Sequence, residues 1–441
     1  MSAITPKPLE HFLEICKIPH PSGDCNRLKE WLKVQAQQCG AEVFEDKRGN
    51  LLFQKGKPKV CLQGHYDMVY VGESKTYEIK PKIFEESSKQ WIAAESSSLG
   101  ADNGAALACM LAALREEENL ECLITIDEEI GMLGAREVDL AVQSPYLINC
   151  DSEDIDEVVC GCAGGYDLEA VIQAKEKPIP KDYLIFTIQT RNFRGGHSGI
   201  EIHKAIPNAI VELAKILKSL QGILLTFSGG EKRNSIPVFA QAQIAIPKNP
   251  KTQALLDTLE AQYFVFYEEK EQQRRIGYES EILLDTILQI PNGVLYQEKE
   301  EVLLSSNLGI LKQDKGQWSL CFMGRGNQEN LMQTHIKKTE QDLHQRGFQT
   351  HLSDYYSPWE KEESELLDKV LAIYQAKNPK VKLKNIHAGL ECGILKQKYP
   401  QKKFISIGPT ILHPHSKSEK MLLGSFEEFW EILQKILKAF A

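Results

Sequence analysis

The chain has 441 residues, of which 42% are hydrophobic and 26% are charged, and its formal net charge is −9. This composition excludes collagen-like, disordered and disulfide-scaffold proteins, and the negative charge argues against a nucleic-acid binder that works through a general basic surface. No apolar run reaches the roughly 20 residues that span a bilayer, and the first residues lack the features of a signal peptide. We therefore expect a cytoplasmic protein of about two to four domains, without nucleic-acid or membrane partners.

The first part of the chain has the pattern of an α/β domain. Apolar residues at helical spacing predict helices near residues 9–15 and 28–34, and a hairpin is predicted to turn at Gly49. The Ala/Leu-rich segment GAALACMLAALREEE predicts a further helix. Three short apolar runs without polar alternation, KVCLQG, CLITI and YLINC, predict buried strands of a mostly parallel sheet.

From about Tyr183 the pattern changes to that of an α+β domain. Strands are predicted in DYLIFTIQTRNF, ILLTF, PVFAQAQIAI and WSLCFMG, and helices in KAIPNAIVELAKILKSLQ, near residues 255–272 and over about 329–345. This order predicts a ferredoxin-like insertion. Because the α/β pattern returns near Glu362, we predict one α/β domain, residues 1–183 and 356–441, interrupted by an α+β domain of residues 184–355.

Residues of types that can bind metal ions, His, Asp and Glu, follow each of the three buried runs. The carboxyl ends of parallel strands meet at one edge of an open α/β sheet, so we expect these side chains in one crevice. Several carboxylates there would repel each other without a cation, and His, Asp and Glu ligands favour catalytic zinc, manganese or cobalt. The residues are His65 and Asp67 after the first run, Asp127, Glu128 and Glu129 after the second, Asp151 after the third, and Asp102 at the start of the Ala-rich helix.

These residues also have simpler interpretations. Glu128 and Glu129 point in different directions, so one can bind metal while the other accepts a proton, but an isolated Glu-Glu pair is more often a solvated turn. His65 and Asp67 share one face of a strand, which lets Asp67 orient the imidazole, but the pattern is also typical of a polar strand end. Asp102 fits an ordinary helix N-cap equally well.

Two further segments combine glycine and histidine. RGGHSGIEIHK places His197 in a Gly-rich turn of the inserted domain, and GPTILHPHSKSEK places His413 and His415 after the last α/β strand. Because that strand belongs to the predicted sheet, we expect His415 at the same edge as the acids.

These motifs, taken in order, resemble the M20 metallopeptidases. GHYDMV, LGADNG, TIDEEIGMLGA, INCDSE and GPTILHPHS are similar to the metal-site motifs of that family. SLGADNGAALA, RGGHSGIEIHKAIPNA and HAGLECG are most similar to its aminoacyl-histidine dipeptidase branch. The resemblance runs from about His11 to the C-terminus and is weakest over about 270–318. It implies a di-zinc-peptidase-like catalytic α/β domain, with the inserted domain as its lid.

The resemblance also implies two divalent metal ions per chain, with zinc favoured over manganese or cobalt. One ion would be bound by His65, Asp102 and Asp151, and the other by Asp102, Glu129 and His415. Asp102 would therefore bridge the two ions. Of the two closing histidines, His415 with Ser416 matches the ligand motif better than His413.

The remaining site residues are also assigned by resemblance. Glu128 would be the general base, Asp67 would orient His65, and His197 would polarise the scissile carbonyl. Asn234 and Arg325 would bind the substrate, Arg325 through the terminal carboxylate. The GRG context of Arg325 departs from the arginine-serine pattern that is usual in the family.

The activity implied is hydrolysis of unblocked dipeptides, including Xaa-His, by a metal-activated water. The alternatives are another M20 specificity, such as a tripeptidase or an N-acyl amino acid deacylase, and a non-catalytic binding protein, which the complete set of ligands disfavours. The partner would be a small peptide substrate. The edge of the lid could pair with a second chain in a homodimer, or the insertion could replace that partner within one chain.

Overall fold

The computed structural model of the chain describes residues 8–248, 264–268 and 276–441. Its helices are α1 (Pro8–Cys16), α2 (Asn26–Gln38), α3 (Ala101–Glu116), α4 (Leu133–Glu137), α5 (Ala209–Leu220), α6 (Glu281–Gln289), α7 (Glu329–Gln345), α8 (Glu365–Lys377), α9 (Glu391–Lys398) and α10 (Leu423–Phe440). Its strands are β1 (Glu42–Glu45), β2 (Leu51–Lys55), β3 (Val60–His65), β4 (Pro81–Glu86), β5 (Lys89–Ala94), β6 (Leu120–Thr125), β7 (Tyr146–Asn149), β8 (Glu157–Cys162), β9 (Gly164–Gln173), β10 (Glu176–Pro178), β11 (Tyr183–Thr190), β12 (Gly196–His197), β13 (Ile223–Gly229), β14 (Ser235–Ile236), β15 (Ala240–Pro247), β16 (Phe264–Glu268), β17 (Ile276–Tyr278), β18 (Gly293–Glu298), β19 (Glu301–Asp314), β20 (Gln317–Gly326), β21 (Gln349–Tyr356), β22 (Lys382–Ile386), β23 (Lys403–Ser406), β24 (Ile411–Leu412) and β25 (Lys420–Leu422). Within these described residues, no helix combines the length and apolarity needed to cross a membrane.

The chain divides into two compact units. Unit 1 comprises Met1–Gly161, Trp359–Asn385 and Leu390–Ala441, and unit 2 comprises Cys162–Pro358 and Ile386–Gly389. Unit 2 thus begins earlier than the boundary predicted after residue 183, because β9 pairs with β20 and β21 in the sheet of unit 2. It ends close to the predicted residue 355. Four later residues, Ile386–Gly389, also belong to unit 2, although the chain on either side of them belongs to unit 1. The sequence did not predict this.

Unit 1 is built on an eight-stranded mixed sheet in the order β1-β2-β6-β3-β7-β23-β8-β22. Its central strands β6, β3, β7 and β23 are parallel, which confirms the pairing predicted for the three apolar runs. Antiparallel neighbours flank them, since β2 pairs with β1 and β6, and β8 pairs with β23. The carboxyl ends of β3, β6 and β7 therefore meet at one edge of this sheet.

Two helices account for much of the core of unit 1. In α3, residues 103–114 are all buried, and its many alanines both favour a helix and let it pack closely against α1 and β3. In α10, Phe429, Leu433 and Ile436 lie on one face at helical spacing and are fully buried. Burial of each such side chain contributes about 1.5–3 kcal/mol to folding.

Unit 2 is an α+β unit with a largely antiparallel sheet. Strands β16, β11, β15 and β13 are neighbours in that order, which is the ferredoxin-like arrangement of the fourth, first, third and second strands. The same sheet continues through β19, β20, β9 and β21, so it is larger than a single ferredoxin-like unit. Asn208 caps α5 by accepting the N–H groups of Ile210 and Val211.

The helix predicted near residues 255–272 is wrong where it can be compared. Residues 264–268 form β16, which pairs antiparallel with β11. The aromatic and β-branched residues of FVFYE suit a strand that extends a sheet, so tertiary pairing overrides the local helical pattern. The rest of that predicted helix lies outside the described residues.

Candidate metal centre

The strand ends of unit 1 present the predicted ligands at one edge of the sheet. His65 is the last residue of β3 and pairs with Thr125 of β6, while Gln63 pairs with Asn149 of β7. Because the strands end together, the residues that follow them converge. The described residues form three groups in which all ligand atoms of a group lie within 4.8 Å of one another. The groups are His65 with Asp102 and Asp151, Asp102 with Glu129 and His415, and His65 with Glu128 and Glu129.

The carboxylate of Asp102 faces a histidine with each oxygen. His65 Nε2 lies 3.1 Å from Asp102 Oδ1 and 3.3 Å from Asp151 Oδ1. His415 Nε2 lies 3.0 Å from Asp102 Oδ2 and 2.9 Å from Glu129 Oε1. Asp102 therefore belongs to two neighbouring sets of ligand atoms, as a bridging carboxylate requires.

The orientation of His65 is fixed through its other ring nitrogen. Nδ1 lies 3.0 Å from the carbonyl oxygen of Asp67, to which it donates a hydrogen bond, and 3.5 Å from Asp67 Oδ1. A neutral ring held in this way carries its lone pair on Nε2, the atom that faces Asp102. Asp67 thus reaches His65 mainly through its backbone.

The carboxylate of Asp67 holds the turn that carries the paired glutamates. Its Oδ1 accepts the N–H of Glu128 at 3.0 Å, and its Oδ2 accepts the N–H of Glu129 at 3.3 Å and the Ser22 hydroxyl at 2.7 Å. Asp127 does not join the cluster, because its carboxylate pairs with Arg48 at 2.9 Å.

Asn103 is a positioning residue that sequence reasoning missed. Its amide oxygen accepts the N–H of His65 at 3.2 Å, and its amide nitrogen donates to Asp151 Oδ1 at 2.6 Å and to the carbonyl of Cys150 at 3.0 Å. It therefore links the ends of β3 and β7 to the first turn of α3. Its place directly after Asp102 was the available signal, but the motif alone did not show where an amide would point.

The charges in the cluster shift one another's pKa values. Burial raises the pKa of Glu129 to about 7 and that of Asp151 to about 6, and it raises the pKa of Glu128 well above its usual value. Burial opposes the charge on His415, yet hydrogen bonds with Asp102 and Glu129 raise its pKa to about 11. In the protein without metal ions, the positive charge of the protonated histidines compensates for the negative charge of the buried acids.

The donor set fits divalent metal ions. Each of two overlapping groups supplies one imidazole nitrogen and two carboxylates, without thiolate, which suits catalytic zinc and also manganese or cobalt. A cation in each group would take over the charge compensation that protonated histidines otherwise supply. The residues present therefore fit the two ions that the resemblance implies.

The three predicted lid residues lie near one another within unit 2. His197 of β12 pairs with Ser235 of β14, the residue after Asn234, and the Asn234 carbonyl accepts the N–H of Ser198 at 2.9 Å. A Cβ atom on Gly199 would lie 2.9 Å from Arg325 Nε, so the turn after His197 packs against Arg325.

Hydrogen bonds define the tautomer of His197 and the surroundings of the Arg325 guanidinium. His197 Nδ1 accepts the N–H groups of Gly199 and Ile200, both at 3.1 Å, which places the proton of the neutral ring on Nε2. Arg325 is 4% exposed and donates to the Tyr356 hydroxyl at 3.2 Å, while its Nε has no hydrogen-bond partner among the described residues. No carboxylate in the described part of the chain forms an ion pair with this buried guanidinium.

Proteins of similar sequence and structure indicate the family of this chain. Residues 61–439 match peptidase family M20/M25/M40. The chain is 32% identical to the cytosol non-specific dipeptidase of Escherichia coli, over 99% of this chain and 98% of that protein. Its structure matches the aminoacylhistidine dipeptidase of Vibrio alginolyticus with a TM-score of 0.82 at 29% identity, covering 100% and 98% of the two chains. A Staphylococcus aureus tripeptidase shares the fold, with a TM-score of 0.61 at 17% identity and 98% of each chain covered. The prediction of an M20 metallopeptidase with an α/β catalytic domain and a lid is thus confirmed, and the chain belongs to peptidase family M20/M25/M40.

Proposed function

We propose that this peptidase hydrolyses unblocked dipeptides, including those with a C-terminal histidine, at a centre of two divalent metal ions. The observation that carries the proposal is the carboxylate of Asp102, whose two oxygens face His65 and His415 at 3.1 and 3.0 Å. Asp151 completes one ligand group and Glu129 the other. The dipeptidase activity named for the E. coli and Vibrio relatives supports the choice of substrate.

Glu128 is the proposed general base. Two divalent ions bound by the ligand groups would supply a water of lowered pKa and polarise the scissile carbonyl. Glu128 accepts the proton of that water and then donates it to the leaving amine. Desolvation at its half-buried position raises the pKa of Glu128 towards the range in which one carboxyl group can act as base and then as acid. Asp67 aids this step by holding the backbone of Glu128.

Unit 2 is proposed to supply the substrate contacts. His197, with its proton on Nε2, donates a hydrogen bond to the oxygen of the scissile carbonyl as negative charge develops there. Arg325 binds the C-terminal carboxylate, because a buried guanidinium without an acidic partner is a ready anion site. Asn234, whose carbonyl accepts the N–H of Ser198 and which directly precedes the strand paired with His197, is proposed to contact the peptide as well.

The identity of the metal, the cellular compartment and the oligomeric state remain predictions. We propose zinc as the preferred metal, with manganese or cobalt as substitutes, and the cytosol as the compartment, as named for the E. coli relative. We also predict a homodimer formed through unit 2. Sedimentation velocity of the purified chain tests this prediction by giving the oligomeric state.

A substrate screen with metal analysis on the same sample tests the proposal. Purified protein supplied with zinc or manganese should bind two metal equivalents and cleave Xaa-His and other free dipeptides. Tripeptides and N-acetyl amino acids serve as competing substrates. Preferential cleavage of either class would assign the alternative specificity, and a dipeptide panel left uncut by metal-loaded protein would refute the proposed activity.

A further inference from the structure

One buried carboxylate outside the ligand set binds the start of α3. Glu419 precedes β25 and is 2% exposed. Its Oε2 accepts the N–H groups of Leu99 at 2.7 Å and Gly100 at 3.1 Å. Its Oε1 accepts those of Ala101 at 2.9 Å and Asp102 at 3.4 Å. Four successive backbone donors therefore converge on a single side chain.

Two of these donors, the N–H groups of Ala101 and Asp102, belong to the first residues of α3, and the other two directly precede it. The backbone of Asp102 is not helical, with a φ of −84° and a ψ of 104°, so these groups precede the regular part of the helix. Buried backbone donors require an acceptor, and a run of them favours a negative charge. The N-cap residue of α3, Gly100, supplies no side chain and has a φ of 70°. A Cβ atom at this position would lie 2.8 Å from Met68 Sδ, and the positive φ disfavours any side chain there, so glycine suits the position and a local Ser or Asp cap would be strained. Glu419 instead supplies the acceptor for these N–H groups from more than 300 positions away along the chain.

Glu419 also has no cationic partner in the described part of the chain. Its carboxylate is balanced by the four backbone N–H groups and the N-terminus of α3. Removing the negative charge would therefore leave four inward-facing donors without an adequate acceptor, and the segment 99–102 would relax.

The same residue is tied to the loop that carries His415. The N–H of Glu419 donates to the carbonyl of Ser416 at 3.1 Å, and Ser416 directly follows His415. One side of Glu419 thus contacts the backbone of Asp102, and the other contacts the turn of His415. Asp102 and His415 belong to the same ligand group.

We propose that Glu419 is a positioning residue that fixes Asp102 relative to His415 and so sets the geometry of the metal group formed by Asp102, Glu129 and His415. It touches neither metal nor substrate and acts through the backbone. This inference rests on the proposed function where it concerns metal ions, but the ordering of segment 99–102 by Glu419 can be measured without them.

The test compares Glu419→Gln and Glu419→Asp with Ser364→Ala. Ser364 caps α8 in unit 1 by accepting the N–H of Leu367 at 3.2 Å, so its loss is a matched removal of a helix cap away from the ligands. In metal-free protein, amide hydrogen exchange at residues 99–102 should accelerate in Glu419→Gln and stay at the wild-type rate in Ser364→Ala.

Metal titration gives the second measurement. Glu419→Gln should bind one equivalent of Zn²⁺ about 10- to 100-fold more weakly than the wild type and the other nearly unchanged. Its kcat should fall with little change in KM, and Glu419→Asp, which retains the charge, should recover part of both losses. Ser364→Ala should bind both equivalents as the wild type does.

Three results would overturn the proposal. Glu419→Gln could lose thermal stability as Ser364→Ala does, yet retain wild-type metal affinities and kcat. Exchange at residues 99–102 could remain unchanged in it. Failure of both Glu419 variants to fold would show that this residue determines the fold rather than the site. A wild-type chain without metal or dipeptidase activity would refute the proposed function, while the exchange result would still judge whether Glu419 orders segment 99–102.

Discussion

His415 Nε2 lies 3.0 Å from Asp102 Oδ2, although the two residues are 313 positions apart in the chain. Asp102 is the second residue of α3, whereas His415 lies in the loop between β24 and β25. The same Asp102 carboxylate faces His65 through its other oxygen. This geometry makes Asp102 the residue on which both proposed ions depend.

Replacing Asp102 should therefore have a larger effect on metal binding than replacing a ligand of one group. We expect Asp102→Ala to weaken both metal equivalents, whereas Asp151→Ala should weaken one, because Asp151 belongs to a single metal group with Asp102. Metal content after dialysis, measured by mass spectrometry, distinguishes the two variants. Equal losses in both would argue against a shared carboxylate.

Replacing Glu128 should affect turnover, whereas replacing Glu129 should affect metal binding. We expect Glu128→Ala to lower kcat by about 10²- to 10⁴-fold with both metals retained, since a general base typically contributes this much. Glu129→Ala should instead lose one metal. Glu137→Ala, at an exposed position of α4, is the control and should behave as the wild type. Loss of metal from Glu128→Ala would show that the roles of the two glutamates are reversed.

Arg325 should be needed for substrates with a free carboxylate. Charged hydrogen bonds contribute about 1.5–3 kcal/mol, so Arg325→Gln should lower kcat/KM about 10- to 100-fold, mainly through KM. Dipeptide amides, which lack the negative charge, should lose much less. Steady-state kinetics with matched acid and amide substrates measures the difference, with Arg346→Gln as the control. An equal loss on both substrates would place the carboxylate elsewhere.

Metal binding should release protons. In the metal-free protein, the raised pKa of His415, about 11, keeps its ring protonated at neutral pH, and the pKa of His65 is also raised well above its usual value. Ligation requires the neutral rings, so metal affinity should rise with pH over the range below these pKa values. Calorimetry in buffers of different ionisation enthalpy measures the released protons. Binding without proton release at pH 7 would contradict this expectation.

Strand prediction succeeded where local pattern and tertiary pairing agree. The unbroken apolar runs that became β3, β6 and β7 are buried on both faces, so their composition already reflected their place in the sheet. β16 shows the opposite case, because pairing with β11 decides its conformation. The early start of unit 2 has the same cause, since β9 is assigned to unit 2 by its partners β20 and β21.

The sequence by itself determined which chemistry is available: histidines and acids directly after buried strands, and motifs in the order of one peptidase family. Only the tertiary structure decided how those groups meet. It turned Asp127 towards Arg48, placed Asn103 between His65 and Asp151, and brought Glu419 beneath the backbone of Asp102. The reason is physical, because residue type and spacing describe neighbours along the chain. Contacts across more than 300 positions are instead decided by how the helices and the sheet pack together.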